Sequence, residues 1–281
     1  MKLDFVKAHG TGNDFVVFED FSERIDLTSE AVRALCDRRF GIGADGIIRI
    51  TTGIEAPYRM EYRNSDGSAA EMCGNGVRVV GKWLGDRGLA QDIVELETGS
   101  GVKRLGLSRT NEQVTEVTVD MGAPLGDVIR KQLSIGDDVF DVILVSMGNP
   151  HAVLFVDDVE SARVQTLGPL IEHHTEFPER TNVEFASAQG DVLLQRTWER
   201  GSGETLACGT GACAVLVAAA TNGLTGRTSA VELRGGTLRL EWTENCHVLM
   251  TGPAVEVFSG SIETAAFGVK YAGMGPGSSP G

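Results

Sequence analysis

Two stretches of this chain carry the same landmarks at a nearly constant separation. Cys73-Gly74-Asn75-Gly76 and Cys208-Gly209-Thr210-Gly211 stand 135 residues apart (208 − 73). Asn64 and Glu199 each precede their cysteine by nine residues. Asn13, after Gly12, lies 60 residues before Cys73, and Asn149, after Gly148, lies 59 before Cys208. Offsets this steady predict two structurally similar halves, each presenting one cysteine to a cleft between them. The repeat is too long, and occurs too few times, for a solenoid.

Each cysteine is followed by a run that reads as an apolar helix, Val77–Leu84 after the first and Ala212–Ala218 after the second. A thiol at a helix N-terminus faces unpaired backbone N–H groups and the positive end of the dipole, which favour its thiolate. Two thiols in matching settings suit one reaction: taking a proton from one face of a carbon and returning it to the other.

The 281 residues fit one large domain or two of ordinary size. With 42% hydrophobic residues the chain can build real cores, and its 36 glycines, lacking a period of three, point to tight turns. A formal net charge of −14, with 6 lysines among the 25 basic residues, repels phosphate backbones and anionic lipid. Neither nucleic acid nor membrane is expected as a partner. Met1-Lys2-Leu3-Asp4-Phe5 opens no secretory segment, and no apolar run spans a bilayer. Five cysteines in this length do not make a disulfide scaffold, so a reduced, cytoplasmic protein is expected.

Strands are predicted at Phe5-Val6, Phe15–Phe18, Ile47–Ile50, Tyr58–Arg63 and Val114–Asp120, then at Val142–Val145, Val153–Val156, Val192–Trp198, Leu238–Trp242 and Val248–Met250. Thr28 is an N-cap candidate for a helix through Val32, Leu35 and Cys36, stopped by Gly41. Many strands and few helices argue α+β. Aligning Phe5-Val6 with Val142-Ile143 starts the second half near 137, although Gly122-Ala123-Pro124 allows a boundary after 122. The halves are therefore taken as 1–122 and 123–261, with a tail at 272–281 that its composition marks as disordered.

Several motifs have bland readings. Gly41-Ile42-Gly43-Ala44-Asp45-Gly46 matches the dinucleotide fingerprint literally, but helix and strand flank it in the reverse order. Cys208 and Cys213 do not share a helix face and lack companion ligands, so no metal site is expected. His173-His174 reads as an exposed loop pair. Cys36, Cys213 and Cys246 read as small buried apolar residues. Asparagines at 13, 64, 149 and 182 suit turns under any hypothesis. A site for ammonium and carboxylate groups, however, also needs amides that donate and accept. Glu199-Arg200, close before Cys208, resembles a zwitterion receptor, since guanidinium grips carboxylate bidentately.

Across almost its whole length the chain resembles the diaminopimelate epimerase family, within the cofactor-independent amino-acid racemases. The resemblance is carried by Gly10-Thr11-Gly12-Asn13-Asp14-Phe15, Asn64-Ser65-Asp66-Gly67-Ser68, Glu71-Met72-Cys73-Gly74-Asn75-Gly76, Ser146-Met147-Gly148-Asn149-Pro150-His151, Phe177-Pro178-Glu179-Arg180-Thr181-Asn182, Glu199–Thr205 and Ala207–Gly211. It implies that Cys73 and Cys208 transfer protons. It further implies that Asn13, Asn64, Gly74, Asn75, Asn149, Asn182, Glu199, Arg200, Gly209 and Thr210 hold substrate, and that His151 and Glu199 tune the thiols. It implies two pseudo-symmetric domains, each a barrel-like mixed sheet around a central helix, and a homodimer. A C-terminal strand, placed near 262–270, would return to the first domain. The implied reaction interconverts LL- and meso-2,6-diaminoheptanedioate without cofactor or metal, on the way to lysine and peptidoglycan precursors. Some relatives carry Gln where Gly46 stands, and others Tyr where Phe258 stands.

Two other readings remain at this point. One is a cofactor-independent racemase of proline, hydroxyproline or histidine, which Glu199-Arg200 and the asparagines disfavour. The other is a thiol redox or metal-binding module, disfavoured because C-x-x-C and clustered ligands are missing.

Overall fold

β-Branched and aromatic residues in short alternating runs make this chain mostly strand. The computed structural model describes residues 1–70 and 72–271. The tail expected at 272–281 lies outside the described residues. The chain divides into two compact units, Met1–Thr115 with the chain from Ala254 onward, and Glu116–Pro253. Each mixes many strands with few helices, an α+β architecture.

The first unit begins with β1 (Lys2–Gly10), β2 (Asn13–Glu19), the short β3 (Ile25–Asp26), α1 (Ser29–Cys36), β4 (Gly46–Thr52), β5 (Tyr58–Asn64) and β6 (Ala69–Ala70). α2 (Gly74–Asp86), β7 (Ile93–Thr98) and β8 (Gly101–Thr110) follow. β1 pairs antiparallel with β2, β2 parallel with β4, β4 antiparallel with β5, and β5 parallel with β7. Thr28 caps α1 through Ala31 N–H at 3.2 Å, as its sequence suggests. The helix ends at Cys36, one turn before Gly41, where Asp37 bends the chain out.

β9 (Gln113–Asp120) leads into the second unit, which continues with β10 (Ile129–Ile135), β11 (Asp138–Ser146), β12 (Pro150–Phe155), α3 (Val164–Glu172), β13 (Asn182–Gln189), β14 (Val192–Glu199) and β15 (Gly203–Thr205). α4 (Gly209–Thr221), β16 (Thr228–Leu233), β17 (Gly236–Trp242) and β18 (Val248–Pro253) complete it. Its wiring repeats that of the first unit. β11 pairs antiparallel with β12, β12 parallel with β13, β13 antiparallel with β14, and β14 parallel with β16. β19 (Val255–Glu263) then lies antiparallel on β1, from Lys2↔Glu263 to His9↔Val255. The strand that returns to β1 thus precedes the expected 262–270, where a 3-10 turn (Thr264–Phe267) and β20 (Lys270–Tyr271) follow instead.

One helix is enclosed in each unit. α4 is apolar on every face and buried from Gly211 through Ala219, packing on β11, β12, β13, β14, β16, β17 and β18. A helix without a polar face survives only when covered all round. α2 plays the same part against β1, β2, β5, β8 and β19, but carries one fully buried charge, Arg78.

Candidate active site

In the first unit Cys73 occupies the N-cap of α2, half-buried, with φ −139° and ψ 112°. Its thiol donates to Asn13 Oδ1 at 3.5 Å, and Asn75 Nδ2 donates to the same oxygen at 3.4 Å. Asn13 can offer that oxygen because its Nδ2 is held by Asp45 Oδ2 at 3.0 Å. Asp45 belongs to a cluster in which Arg38 donates to both Asp14 oxygens and to Asp45, with Lys7 paired to Asp14 at 2.5 Å. Burial alone would raise the Asp14 carboxyl, but hydrogen bonds from Arg38 and Lys7 win and hold it far below its ordinary range.

Arg78 lies beneath this turn, donating to Asn75 Oδ1 at 2.9 Å and Thr11 Oγ1 at 3.1 Å. Asn64, at the end of β5 opposite Gly46, donates to Ser68 Oγ at 3.0 Å. A Cβ at Gly46 would stand 2.5 Å from both Arg63 O and the Tyr62 ring. A side chain at position 46 therefore has no room here unless both the Arg63 backbone and Tyr62 move.

In the second unit Cys208 is the N-cap of α4, with φ −120° and ψ 113°, nearly the geometry of Cys73. Its sulfur accepts from Gly211 N–H at 3.4 Å and lies 3.5 Å from Thr210 Oγ1. The helix end favours a thiolate by roughly 0.3–1 kcal/mol, under one pKa unit. Burial can act over several units in the opposite sense. The Cys208 thiol is pushed well above its ordinary value by burial, then by the Glu199 and Glu184 carboxylates. Here the helix end loses the contest.

Glu199, at the end of β14, is itself raised, chiefly by burial and against a 2.5 Å hydrogen bond from Thr205 Oγ1. Its charge in turn acts on the Cys208 thiol, second after burial among the causes that raise it. Asn149 donates to Thr210 Oγ1 at 3.3 Å, and His151 bridges Asn149 Oδ1 (3.0 Å) and Glu184 Oε1 (2.8 Å). His151 thus meets Asn149 and Glu184 rather than the sulfur. Asn182 donates to Pro150 O at 2.9 Å and accepts from Arg200 N–H at 3.0 Å, pinning the Glu199-Arg200 turn. Arg200 is exposed, its guanidinium 3.2 Å from Glu179 O. Glu172, buried at the end of α3, supports the same turn through Gly201 N–H and Trp198 Nε1.

The expected residues therefore gather in two sets. Asn13 and Asn75 meet at Cys73 and the head of α2, while Asn64 turns to Ser68. Thr210, Asn149 and His151 link to Cys208 at the head of α4, while Asn182 pins the turn that carries Glu199 and Arg200. Asp45, Arg78, Glu172, Glu184 and Thr205 were not foreseen. Only Arg78 carried a signal, as a lone charge between valines of an apolar helix. Among the other cysteines, Cys36 is buried with its thiol pushed up to about 12 by desolvation, and Cys213 is fully buried. Cys246 departs from expectation: it is exposed, in a left-handed turn (φ 67°) between β17 and β18. Among the described residues no group of three His, Cys, Asp or Glu could hold a metal ion. No helix among them is long and apolar enough to cross a membrane.

Solved structures share this fold. A hydroxyproline epimerase from Agrobacterium vitis matches with a TM-score of 0.72 at 15% identity, covering 93% of this chain and 92% of its own. A PhzF-family phenazine biosynthesis protein from Bacillus anthracis matches at 0.70 and 15%, covering 94% and 99%. At such identities the likeness establishes the two-unit fold of this racemase and PhzF group and nothing finer. Sequence goes further. The family model for diaminopimelate epimerase matches residues 5–125 and 143–257. The diaminopimelate epimerase of Leptospira biflexa is 50% identical over 94% of this chain and 100% of its own length. That of Acetivibrio thermocellus is 45% identical over 93% and 99%. This chain belongs to the diaminopimelate epimerase family.

Proposed function

We propose that the protein interconverts LL- and meso-2,6-diaminoheptanedioate, with Cys73 and Cys208 moving the α-proton from opposite faces of one carbon. The observation that carries this reading is the matched pair of cysteine N-caps, each heading a buried helix of 13 residues in its own unit. One sulfur, as thiolate, takes the proton while the other, as thiol, delivers its own, so the sulfurs exchange protonation states each turnover. An ordinary thiol, with a pKa of about 8.5, supplies few thiolates near neutrality. Glu199, whose carboxylate acts on the Cys208 thiol, is the base suited to accept that thiol's proton.

As the α-proton leaves, negative charge builds on the reacting carboxylate. Backbone N–H groups at Gly74-Asn75 and Gly209-Thr210, the heads of the two helices, suit it. Asn13, Asn64, Asn149 and Asn182, with Glu199 and Arg200, would bind the distal amino-acid head and so select which stereocentre reacts. A second copy of the chain is the expected partner. Val255, Val257 and Phe258 are 42%, 56% and 50% exposed on β19, an apolar face suited to a homodimer. Five free cysteines suit a reducing cytoplasm.

Incubation with LL-diaminopimelate in deuterated water tests the reaction: deuterium should enter one α-position as the meso isomer forms. Cys73→Ala and Cys208→Ala should each abolish epimerisation in folded protein. Full activity in either ends the two-thiol scheme. Sedimentation tests the dimer, which a monomer at working concentration refutes.

A further inference from the structure

Beside the Cys208 turn lies a buried imidazole–carboxyl pair that the proton-transfer scheme leaves unused. The side chains of Glu184 on β13 and His151 on β12 have no exposed surface, and Nδ1 lies 2.8 Å from Oε1. Burying a carboxylate is costly unless it is partnered. Glu184 Oε2 has no hydrogen-bond partner among the described residues, so this carboxyl spends its polar contact on the imidazole.

The pair reaches the sulfur by two routes. Along the first, His151 Nε2 lies 3.0 Å from Asn149 Oδ1, Asn149 Nδ2 donates to Thr210 Oγ1 at 3.3 Å, and Thr210 Oγ1 sits 3.5 Å from Cys208 Sγ. An amide oxygen only accepts, so Nε2 carries a hydrogen. The short Nδ1···Oε1 contact then needs a second proton, on nitrogen or on the carboxyl. Along the second route the carboxyl and the sulfur abut one glycine. A Cβ at Gly211 would stand 2.7 Å from Glu184 Oε1 and 3.2 Å from Cys208 Sγ. The titratable groups converging here are His151 from β12, Glu184 from β13, Glu199 from β14 and Cys208 at the head of α4.

We propose that Glu184 is a positioning residue for proton transfer at Cys208, holding His151 and, through Asn149 and Thr210, the hydrogen-bond frame around the sulfur. The inference rests on Cys208 being a proton-transfer residue. The charge on Glu184 also acts on the thiol directly, third after burial and Glu199 among the causes that raise it.

Each partner of the pair, removed in turn, should move Cys208 in an opposite direction. Glu184→Gln keeps the shape but removes the carboxylate, so Cys208 should form thiolate at a pH lower by about one unit. His151→Gln leaves the carboxylate without its proton-sharing partner, and thiolate should form at a pH higher by a comparable amount. The readout is ultraviolet thiolate absorbance across pH, as the difference between each protein and its Cys208→Ser counterpart. Epimerisation by Glu184→Gln should show kcat reduced about tenfold or more with KM within about twofold. A merely structural role predicts no opposed shifts. Unmoved Cys208 titration in folded Glu184→Gln overturns the proposal, as does wild-type kcat in that variant. Where Glu184→Gln fails to fold, a His151→Gln titration that stays put or falls overturns it. Wild-type protein inactive on diaminopimelate would instead refute the function, while the absorbance titration would still decide on Glu184.

Discussion

Thr205→Val isolates one hydrogen bond at the center of the second unit's site. The two side chains have nearly the same shape, and valine suits a strand as well as threonine does. What disappears is the hydroxyl that donates to Glu199 Oε1 at 2.5 Å. A hydrogen bond to a charged acceptor contributes about 1.5–3 kcal/mol, and one pKa unit is about 1.4 kcal/mol. Removing it should therefore raise Glu199, already pushed up by burial, by roughly one to two further units. A carboxyl raised in the folded state binds its proton more tightly there than when unfolded. Its contribution to stability is thus favourable only while it stays protonated, and falls as pH rises through the folded value. Urea unfolding should show the variant less stable than wild type by about 1.5–3 kcal/mol at neutral pH, the gap narrowing as pH falls. If Glu199 is the base for Cys208, the acid limb of kcat/KM should move up by the same one to two units. An acid limb that stays in place, with the stability gap present, would show that Glu199 is not that base.

Gly46→Gln should destabilise the first unit by about 1–3 kcal/mol in urea titrations, since its Cβ falls 2.5 Å from Arg63 O and the Tyr62 ring; unchanged stability would mean the strand gives way freely. Asp14→Asn should cost about 3–5 kcal/mol at neutral pH by stranding Lys7, which is buried. Because the Asp14 carboxyl is held down, that stability is full above the usual carboxylate range and fades as pH falls through its folded value; a penalty that persists in strong acid refutes the pairing. In thiol mapping by mass spectrometry, exposed Cys246 should be alkylated long before Cys36, whose thiol sits at about 12; equal rates would contradict the burial.

What the chain discloses before folding is what is local in it. Cysteine in a glycine turn ahead of an apolar run is a contiguous pattern, so both N-caps were legible, as were two similar halves, though not the strand pairing that builds them. Strands such as β4 and β14 announced themselves because half or more of their residues are buried. β10 and β19 did not: Leu133 is the one fully buried side chain of β10, and β19 shows no apolar alternation. Strands covered on one side only, or at an edge, leave the period-2 signal faint. Glu184 was hidden for another reason. In Asn182-Val183-Glu184-Phe185 it alternates with apolar neighbours as a solvent-facing residue would, yet β13 is buried on both faces by α4 and α3. Asp45 and Glu172 act through partners far away in sequence, Asn13 for the first and Trp198 and Gly201 for the second, which spacing alone does not reveal.

The parallel seam of β12 and β13 pairs His151 with Asn182 and Val153 with Glu184. A slip of one residue along that seam would turn the imidazole and the carboxyl toward opposite sides. Turnover in a refolding experiment is therefore a sensitive gauge of strand alignment: a chain that had regained its helices and compactness, but with this ladder out of step, would look native by circular dichroism and do no chemistry.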